Sequence, residues 1–151
     1  MDATDASLRA TLRRLGYEAF RPGQERIVRD VLAQRDVLSI MPTGAGKSLP
    51  YQLLSQVLPR ATIVISPLIA LMQDQRDTLE EAGIPVAVVN STLPAAERDD
   101  MLGDVAAGRT KLVYVTPETF NTDTFLDVLR QAGVALVAVD EAHCISQWGH
   151  D

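Results

Sequence analysis

The 151-residue sequence predicts an α/β fold in which a parallel sheet is flanked by helices. Two observations lead to this prediction. Short apolar runs alternate along the chain with segments that have the apolar spacing of helices, which is typical of strands joined by crossover helices. The apolar runs are also unbroken, as expected of strands that are buried on both faces. The turns that follow the runs should then lie at the carboxyl edge of the sheet, where such folds bind ligands.

Two helices are predicted ahead of the first apolar run. Residues 7–15 place leucines at helical spacing on one face, and Gly16 is a suitable residue to end that helix. Pro22 and Gly23 then interrupt regular structure, and Gln24 opens a second helix with its own apolar face.

The remainder of the chain repeats the strand and helix pattern. The predicted strands are residues 36–40, 61–66, 86–90, 111–115 and 134–139. The predicted helices are residues 49–58, 68–82, 94–107 and an interrupted segment from 120 to 132. This alternation defines the sheet and the two helical layers that the fold requires.

The composition is that of a globular chain of one domain, with 46% apolar and 23% charged residues. The longest apolar runs are far shorter than a membrane span, and the acidic N-terminus does not have the pattern of a secretory signal. A single cysteine, Cys144, excludes an internal disulfide and suits a reducing compartment. We therefore expect a cytoplasmic location and no membrane partner. Because the net charge is −6, any site for nucleic acid must be local.

The segment 41–48, Met-Pro-Thr-Gly-Ala-Gly-Lys-Ser, has the strand-to-helix context of a phosphate-binding loop. Its glycines allow backbone N–H groups to turn inward, and the start of the next helix adds partial positive charge. Lys47 supplies a full charge for the terminal phosphates, and Ser48 a hydroxyl for a magnesium ion. The strict pattern is not met, because Met41 occupies the position of its first glycine, so a simple glycine-containing turn is the alternative. The predicted nucleotide contacts of this segment are Thr43, Gly44, Ala45, Gly46, Lys47 and Ser48.

The segment before the second helix contains residues suited to recognition of a base. Tyr17 offers a ring for stacking, Arg21 a planar cation, and Gln24 a carboxamide that can both donate to and accept from an adenine edge. The alternative is a loop packed on the protein surface, and the nearby phosphate loop favours the base pocket over it.

Two acids follow the most apolar predicted strand. Asp140 and Glu141 would be costly to desolvate without a cation, and magnesium beside a nucleotide is a natural partner. We expect Asp140 to hold magnesium through its water shell and Glu141 to orient and deprotonate the attacking water. His143 would connect this site to the nucleic-acid site. The alternative is a solvated acidic turn beside an unrelated histidine.

Taken together, these segments resemble the N-terminal part of a RecQ-family DNA helicase of superfamily 2. The matching segments occur in the order found in the family and are spread over nearly the whole chain from Tyr17 onward. They are residues 17–24, 41–52, 66–75, 140–143 and 144–151, the last reading Cys-Ile-Ser-Gln-Trp-Gly-His-Asp.

The resemblance implies a RecA-like P-loop NTPase lobe that is truncated at its C-terminus. It assigns ATP and Mg²⁺ as cofactors, with adenine held by Tyr17, Arg21 and Gln24. It implies DNA as partner, both single strands and duplex junctions, with unwinding in the 3′-to-5′ direction for repair and recombination. The residues it assigns to DNA binding, or to coupling of that binding to hydrolysis, are Ser66, Pro67, Gln75, Thr116, Glu118, His143, Gln147, Trp148 and His150. Trp148 would be a stacking platform for a base, although an interface ring is its alternative.

The resemblance also divides the chain. Residues 1–35 correspond to N-terminal helices with the adenine motif, and residues 36–151 to part of the first lobe. The second lobe and its arginine finger are not in the sequence, so we expect the 151 residues alone to be inactive. We also expect an incomplete sheet, because in this fold class a later strand lies between the strands at 36–40 and 134–139.

Three other functions remain open at this stage. The chain could bind nucleotide or DNA without catalysing a reaction. A small kinase would share the phosphate loop, but it is disfavoured by the Asp-Glu-Ala-His sequence at 140–143. A degenerate product is disfavoured by the intact motif residues.

Overall fold

The computed structural model describes residues 3–38 and 47–140. These residues fall into two compact units, which divide the chain into Met1–Val57 and Leu58–Asp151. The domain division expected from the motifs, at residue 35, stays a prediction. The boundary between the two units falls later in the sequence, after Val57. Within the described ranges, no helix has both the length and the apolar character needed to cross a membrane.

The first unit contains three helices, α1 (Ala3–Arg14), α2 (Gln24–Leu32) and α3 (Leu49–Val57). Helix α3 packs against both of the others. Leu8, Leu12 and Val28 are buried, as their helical spacing predicted. Gly16 follows α1 with a φ of 94°, a conformation that glycine adopts without steric cost, and so ends the helix as expected. Helix α1 begins earlier than predicted, at Ala3.

An ion pair involves the first turn of α1. The guanidinium of Arg29 on α2 donates to Oδ1 of Asp5, in the first turn of α1, at 2.7 Å. This hydrogen bond lowers the pKa of Asp5 below its ordinary value of 3.8 and raises that of Arg29. Arg29 also donates to Glu25 on its own helix. The pair therefore joins the two helices at the surface of the first unit.

Replacing Asp5 with asparagine should make the stability of the first unit depend less on pH. Because the pKa of Asp5 is depressed in the folded state, its contribution is present above the unfolded value of 3.8 and is lost as the pH falls through the folded value. We expect D5N to lower the melting temperature slightly near neutral pH, and the difference to disappear in acid. Thermal melts across this pH range measure the effect.

The control for D5N is D127N, which removes an ion pair formed within one helix, between Asp127 and Arg130. That pair joins no two elements, so its loss should change the melting temperature less. A D5N difference that stays constant from neutral to strongly acidic pH would contradict the assignment. Added salt should also reduce the D5N difference, since the pair is at the surface.

The second unit contains a four-stranded parallel sheet in the order β2-β3-β1-β4. The strands are β1 (Ala61–Ile65), β2 (Val86–Val89), β3 (Leu112–Val115) and β4 (Val134–Val139). The helices are α4 (Ile69–Glu81), α5 (Ala95–Ala106), α6 (Pro117–Phe120) and α7 (Asp123–Ala132). The predicted fold class, a parallel sheet flanked by helices, is confirmed.

The main core of this unit lies between one face of the sheet and helices α5 and α7. Alternate residues of the strands, such as Ile63 and Val113, face Leu102 of α5 and Phe125 of α7 in one buried cluster. The ring of Phe120 lies against that of Phe125, with centroids 6.1 Å apart. The intervening residues of the strands face the other side, where α4 packs against β2.

Two sequence expectations were wrong in detail. Residues 36–38, the described part of the first predicted strand, are not in a strand, and Leu38 is 82% exposed. Strand β4 was expected to be buried on both faces, yet Val137 is 47% exposed. The reason is position: β4 is at an edge of the sheet, and within the described residues β1 is the one strand beside it. Strands β1, β2 and β3 are buried throughout, as predicted.

Candidate functional site

The segment predicted to hold adenine is fixed by a reciprocal pair of hydrogen bonds. The backbone N–H of Arg21 donates to Oε1 of Gln24 at 2.7 Å, and the backbone N–H of Gln24 donates to the carbonyl of Arg21 at 3.1 Å. Gly23, with a φ of 87°, allows the tight turn between them. Gln24 is 1% exposed. The hydrogen bond to Arg21 therefore orients the buried carboxamide of Gln24.

Tyr17 and Arg21 lie on the exposed side of the same segment. Tyr17 is 41% exposed, and its backbone N–H donates to the carbonyl of Leu12 at the end of α1. Arg21 is exposed as well. An accessible ring and an accessible guanidinium beside an oriented carboxamide are groups that can bind a purine base.

Lys47 and Ser48 lie directly before α3. The carbonyl of Ser48 accepts from the backbone N–H of Gln52 at 3.1 Å, which is the first hydrogen bond of the helix. Pro50 is in the first turn, where its missing N–H has no cost. Lys47 is exposed and Ser48 is half-buried. The predicted anion contacts are therefore at a helix N-terminus, where partial positive charge favours phosphate.

In the second unit, four strands end at the same level. The register pairs Ile65 with Val115 and Val139, and Val115 with Val89. The residues that come next form a row along the carboxyl edge, in the order Asn90, Thr116, Ser66 and Asp140. The backbone N–H of Asp140 donates to the carbonyl of Ile65 at 2.9 Å, and that of Ser66 to the carbonyl of Val115 at 3.1 Å. Two predicted DNA-contacting turns and one predicted magnesium ligand are thus adjacent.

Three members of this row are buried polar residues that shape the turns after their strands. Oγ of Ser66 accepts from the backbone N–H of Leu68 at 3.2 Å. Oγ1 of Thr116 donates to Oγ1 of Thr119 at 3.0 Å. Oδ1 of Asn90 accepts from the backbone N–H of the residue two positions on, at 2.9 Å. The side chains of Ser66 and Thr116 are thus engaged inside the protein, and the turns they hold present the adjoining residues to solvent.

Asn90 was not among the predicted site residues. The signal was present in the sequence, since Asn90 follows an apolar run just as Ser66 and Thr116 do. Its place in the row became clear only with the strand order, because β2 is separated from β1 by β3.

The remaining predicted DNA contacts in this unit differ in exposure. Glu118 is exposed in the first turn of α6, and Pro117 precedes it at the helix start. Pro67 is half-buried in the turn between β1 and α4. Gln75 is half-buried on α4, where its Oε1 accepts from the hydroxyl of Tyr114. The assignment of these residues to DNA binding stays a prediction.

The donor chemistry of the predicted metal ligands suits magnesium. The hydroxyl of Ser48 and the carboxylate of Asp140 are hard oxygen donors, and magnesium is commonly held by one or two such groups together with phosphate oxygens and water. In residues 3–38 and 47–140, no group of three or more His, Cys, Asp or Glu side chains could hold a metal ion by itself.

Nine predicted site residues are outside the described ranges. They are Thr43, Gly44, Ala45, Gly46, Glu141, His143, Gln147, Trp148 and His150.

Comparison with known proteins identifies the family. Residues 21–151 match the family model of the DEAD/DEAH box helicases. The chain is 51% identical over 137 residues to the ATP-dependent DNA helicase RecQ of Bacillus subtilis. The matched region covers 90% of this chain and 23% of that protein. It is 44% identical over 153 residues to the ATP-dependent DNA helicase Q5 of Rattus norvegicus. Here the matched region covers 95% of this chain and 16% of that protein. The chain thus spans less than a quarter of the length of these curated relatives.

Two solved structures share the fold. A hypothetical ATP-dependent RNA helicase from Sulfolobus tokodaii superposes with a TM-score of 0.72 at 19% identity, covering 96% of this chain and 44% of that chain. The DUF1998 helicase MrfA superposes with a TM-score of 0.73 at 20% identity, covering 95% of this chain and 24% of that chain. The fold is therefore that of a RecA-like helicase lobe, and the chain belongs to the DEAD/DEAH box helicase family.

Proposed function

We propose that the chain forms part of the first motor lobe of a RecQ-type DNA helicase. In this proposal, hydrolysis of magnesium-ATP drives 3′-to-5′ unwinding of duplex junctions during DNA repair and recombination, in the cytoplasm. The sequence similarity to RecQ helicases, at 51% identity to one of them, supports the substrate class. The partners are single-stranded and junction DNA, together with a second RecA-like lobe.

One observation supports a coupling between DNA binding and ATP hydrolysis. Asp140, the proposed magnesium ligand, donates its backbone N–H to Ile65, the residue before the proposed DNA-contacting turn at Ser66. A movement of one turn relative to the other would therefore strain this hydrogen bond between their strands. This adjacency is what a motor needs if DNA binding is to alter the hydrolytic site.

The residues of this chain divide the chemistry between them. Lys47 would bind the terminal phosphates, Ser48 and Asp140 would hold magnesium, and Glu141 would take the proton of the attacking water. When bound, magnesium neutralises charge on the phosphate oxygens. Gln24, oriented by its bond to Arg21, reads the base. An arginine from the second lobe would stabilise the developing charge, so the 151 residues alone should bind nucleotide without turning it over.

A thermal melt of the 151-residue chain with magnesium-ADP tests the nucleotide site. Ligand that binds the folded state raises its stability by about 2.7 kcal/mol at a concentration of about 100 times Kd. We expect ADP to raise the melting temperature more than GDP, because the carboxamide of Gln24 and the ring of Tyr17 recognise adenine.

The two outcomes of this melt separate the parts of the site. Equal shifts with ADP and GDP would leave the phosphate contacts standing and remove the adenine assignment. No shift with either nucleotide would contradict nucleotide binding by this chain. Hydrolysis by the proposed two-lobe helicase, measured with and without single-stranded DNA, then distinguishes the motor from the second candidate, a chain that binds nucleotide or DNA and catalyses nothing.

A further inference from the structure

Gln75 is a polar residue in an apolar stripe of α4. Met72 and Leu79 are buried on this helix, at 1% and 3% exposure. Gln75 follows Met72 by three positions and precedes Leu79 by four, so the three residues share one face of the helix. A carboxamide on the packed face of a helix must find a hydrogen-bond partner there, since leaving it unpaired is costly.

The partner comes from the centre of the sheet. Tyr114 lies on β3, 39 positions from Gln75 along the chain, and is 1% exposed. Its neighbours Val113 and Val115 face the core formed with α5 and α7, so Tyr114 faces the opposite side, where α4 lies. Its hydroxyl donates to Oε1 of Gln75. The hydrogen bond thus crosses from the packed face of the helix to a buried strand.

This hydrogen bond joins α4 and β3, the two elements that adjoin the turns at Ser66 and Thr116 on the carboxyl edge. Helix α4 begins directly after the turn at Ser66 and Pro67, and β3 ends directly before the turn at Thr116. Tyr114 is two residues before Thr116. At the start of α4, the backbone N–H of Met72 donates to the carbonyl of Leu68 at 3.1 Å. The two turns are therefore held at a fixed separation by the Tyr114–Gln75 bond as well as by the pairing of β1 with β3.

We propose that Gln75 acts in DNA binding as a positioning residue through Tyr114, and not by contacting DNA itself. This inference rests on the proposed function of the two turns. The half-buried carboxamide, with its oxygen directed to the sheet, is placed to set the position of α4 relative to β3. A DNA strand that spans both turns then meets contacts whose spacing the protein has already fixed, so binding loses less conformational freedom.

Three substitutions in the 151-residue chain separate positioning from contact. Tyr114→Phe keeps the ring and removes the donor. Gln75→Met keeps the volume and removes the acceptor, whereas Gln75→Glu keeps an acceptor oxygen for the tyrosine hydroxyl and adds negative charge. The matched control is Thr78→Val, which removes an exposed hydroxyl that donates to the carbonyl of Asp74 within α4.

The first measurement is amide hydrogen exchange. Exchange at residues 66–72 and 116–120 should be about fivefold faster in Y114F and Q75M, the factor expected for loss of one buried hydrogen bond. It should be unchanged in Q75E and T78V. Exchange in α5 should stay the same in all four variants, because that helix is on the other face of the sheet.

The second measurement is the affinity for a fluorescein-labelled oligothymidylate, by anisotropy at low salt. Positioning predicts weaker binding by Y114F and Q75M to a similar extent, with Q75E close to the unsubstituted chain. Direct contact predicts the reverse order, in which Q75E is the weakest because its charge repels phosphate, and Y114F binds normally. That reverse order would overturn the inference, as would unchanged exchange at both turns in Y114F and Q75M. If the variants show the expected exchange pattern but the unsubstituted chain binds no DNA, the proposed DNA contacts of the two turns fail while the mechanical link between the turns stands.

Discussion

Substitution of Lys47 with alanine is expected to abolish ATP hydrolysis by the proposed helicase. Lys47 is exposed at the start of α3, where it adds a full positive charge to the partial charge of the helix N-terminus. The transferred phosphoryl group carries its charge on peripheral oxygens, and hydrolysis depends on groups that stabilise this charge. Loss of one such group typically lowers the rate about 10²- to 10³-fold. The rate of phosphate release in the presence of single-stranded DNA measures the effect.

Lys111 provides a matched control for this substitution, since the sequence contains two lysines. Its ammonium lies at the amino edge of the sheet, before β3, where it donates to the carbonyl of Leu58 at 3.5 Å. Lys111→Ala should leave hydrolysis close to normal. In the 151-residue chain, K47A should also lose the increase in melting temperature caused by magnesium-ADP, whereas K111A should keep it. Near-normal turnover by K47A would refute the phosphate-loop assignment.

Replacing Phe125 with alanine should have the largest effect on stability. Phe125 is 1% exposed and lies in the core between α7 and the sheet. Removing a buried phenyl ring forfeits its transfer free energy and leaves a cavity, which together cost about 3–5 kcal/mol. Because whole domains are stable by only about 5–15 kcal/mol, the second unit of F125A should be largely unfolded in mild denaturant. Urea titration followed by circular dichroism measures this loss.

Phe120 supplies the comparison for Phe125. Its ring contacts that of Phe125 but is only partly buried, so F120A should destabilise the unit less. Phe125→Leu should fall between the unsubstituted chain and F125A, because it leaves a smaller cavity. Equal midpoints for F125A and F120A would show that the core is not organised around Phe125.

The sequence predicted most of the elements because their signals are local. Helix α2 begins at Gln24 as expected, after the break at Pro22 and Gly23. Strands β1, β2 and β3 lie within their predicted ranges. The burial of β4 could not be predicted in the same way. Its apolar run is as continuous as the others, but burial depends on which elements lie beside and over a strand, and the run itself carries no such information.

The candidate site was predictable to the same extent. The position of Lys47 and Ser48 at a helix start follows from the local pattern, and the structure places them there. The bond between Tyr114 and Gln75 required knowledge of which face of β3 meets α4, which the sheet topology determines. A glutamine within the apolar stripe of α4 was nevertheless visible in the sequence, and such a residue signals that a buried partner exists.

The common level at which the strands end restricts how the sequence can change in length. One residue inserted within β3 would turn Tyr114 toward α5 and α7, direct a valine at α4, and shift Thr116 out of the row that it shares with Ser66 and Asp140. An insertion in the turn at Gly108, on the opposite edge, would leave all of these relations intact. Natural variation in length should therefore concentrate at the amino edge of this sheet, while the interiors of its strands keep a constant number of residues.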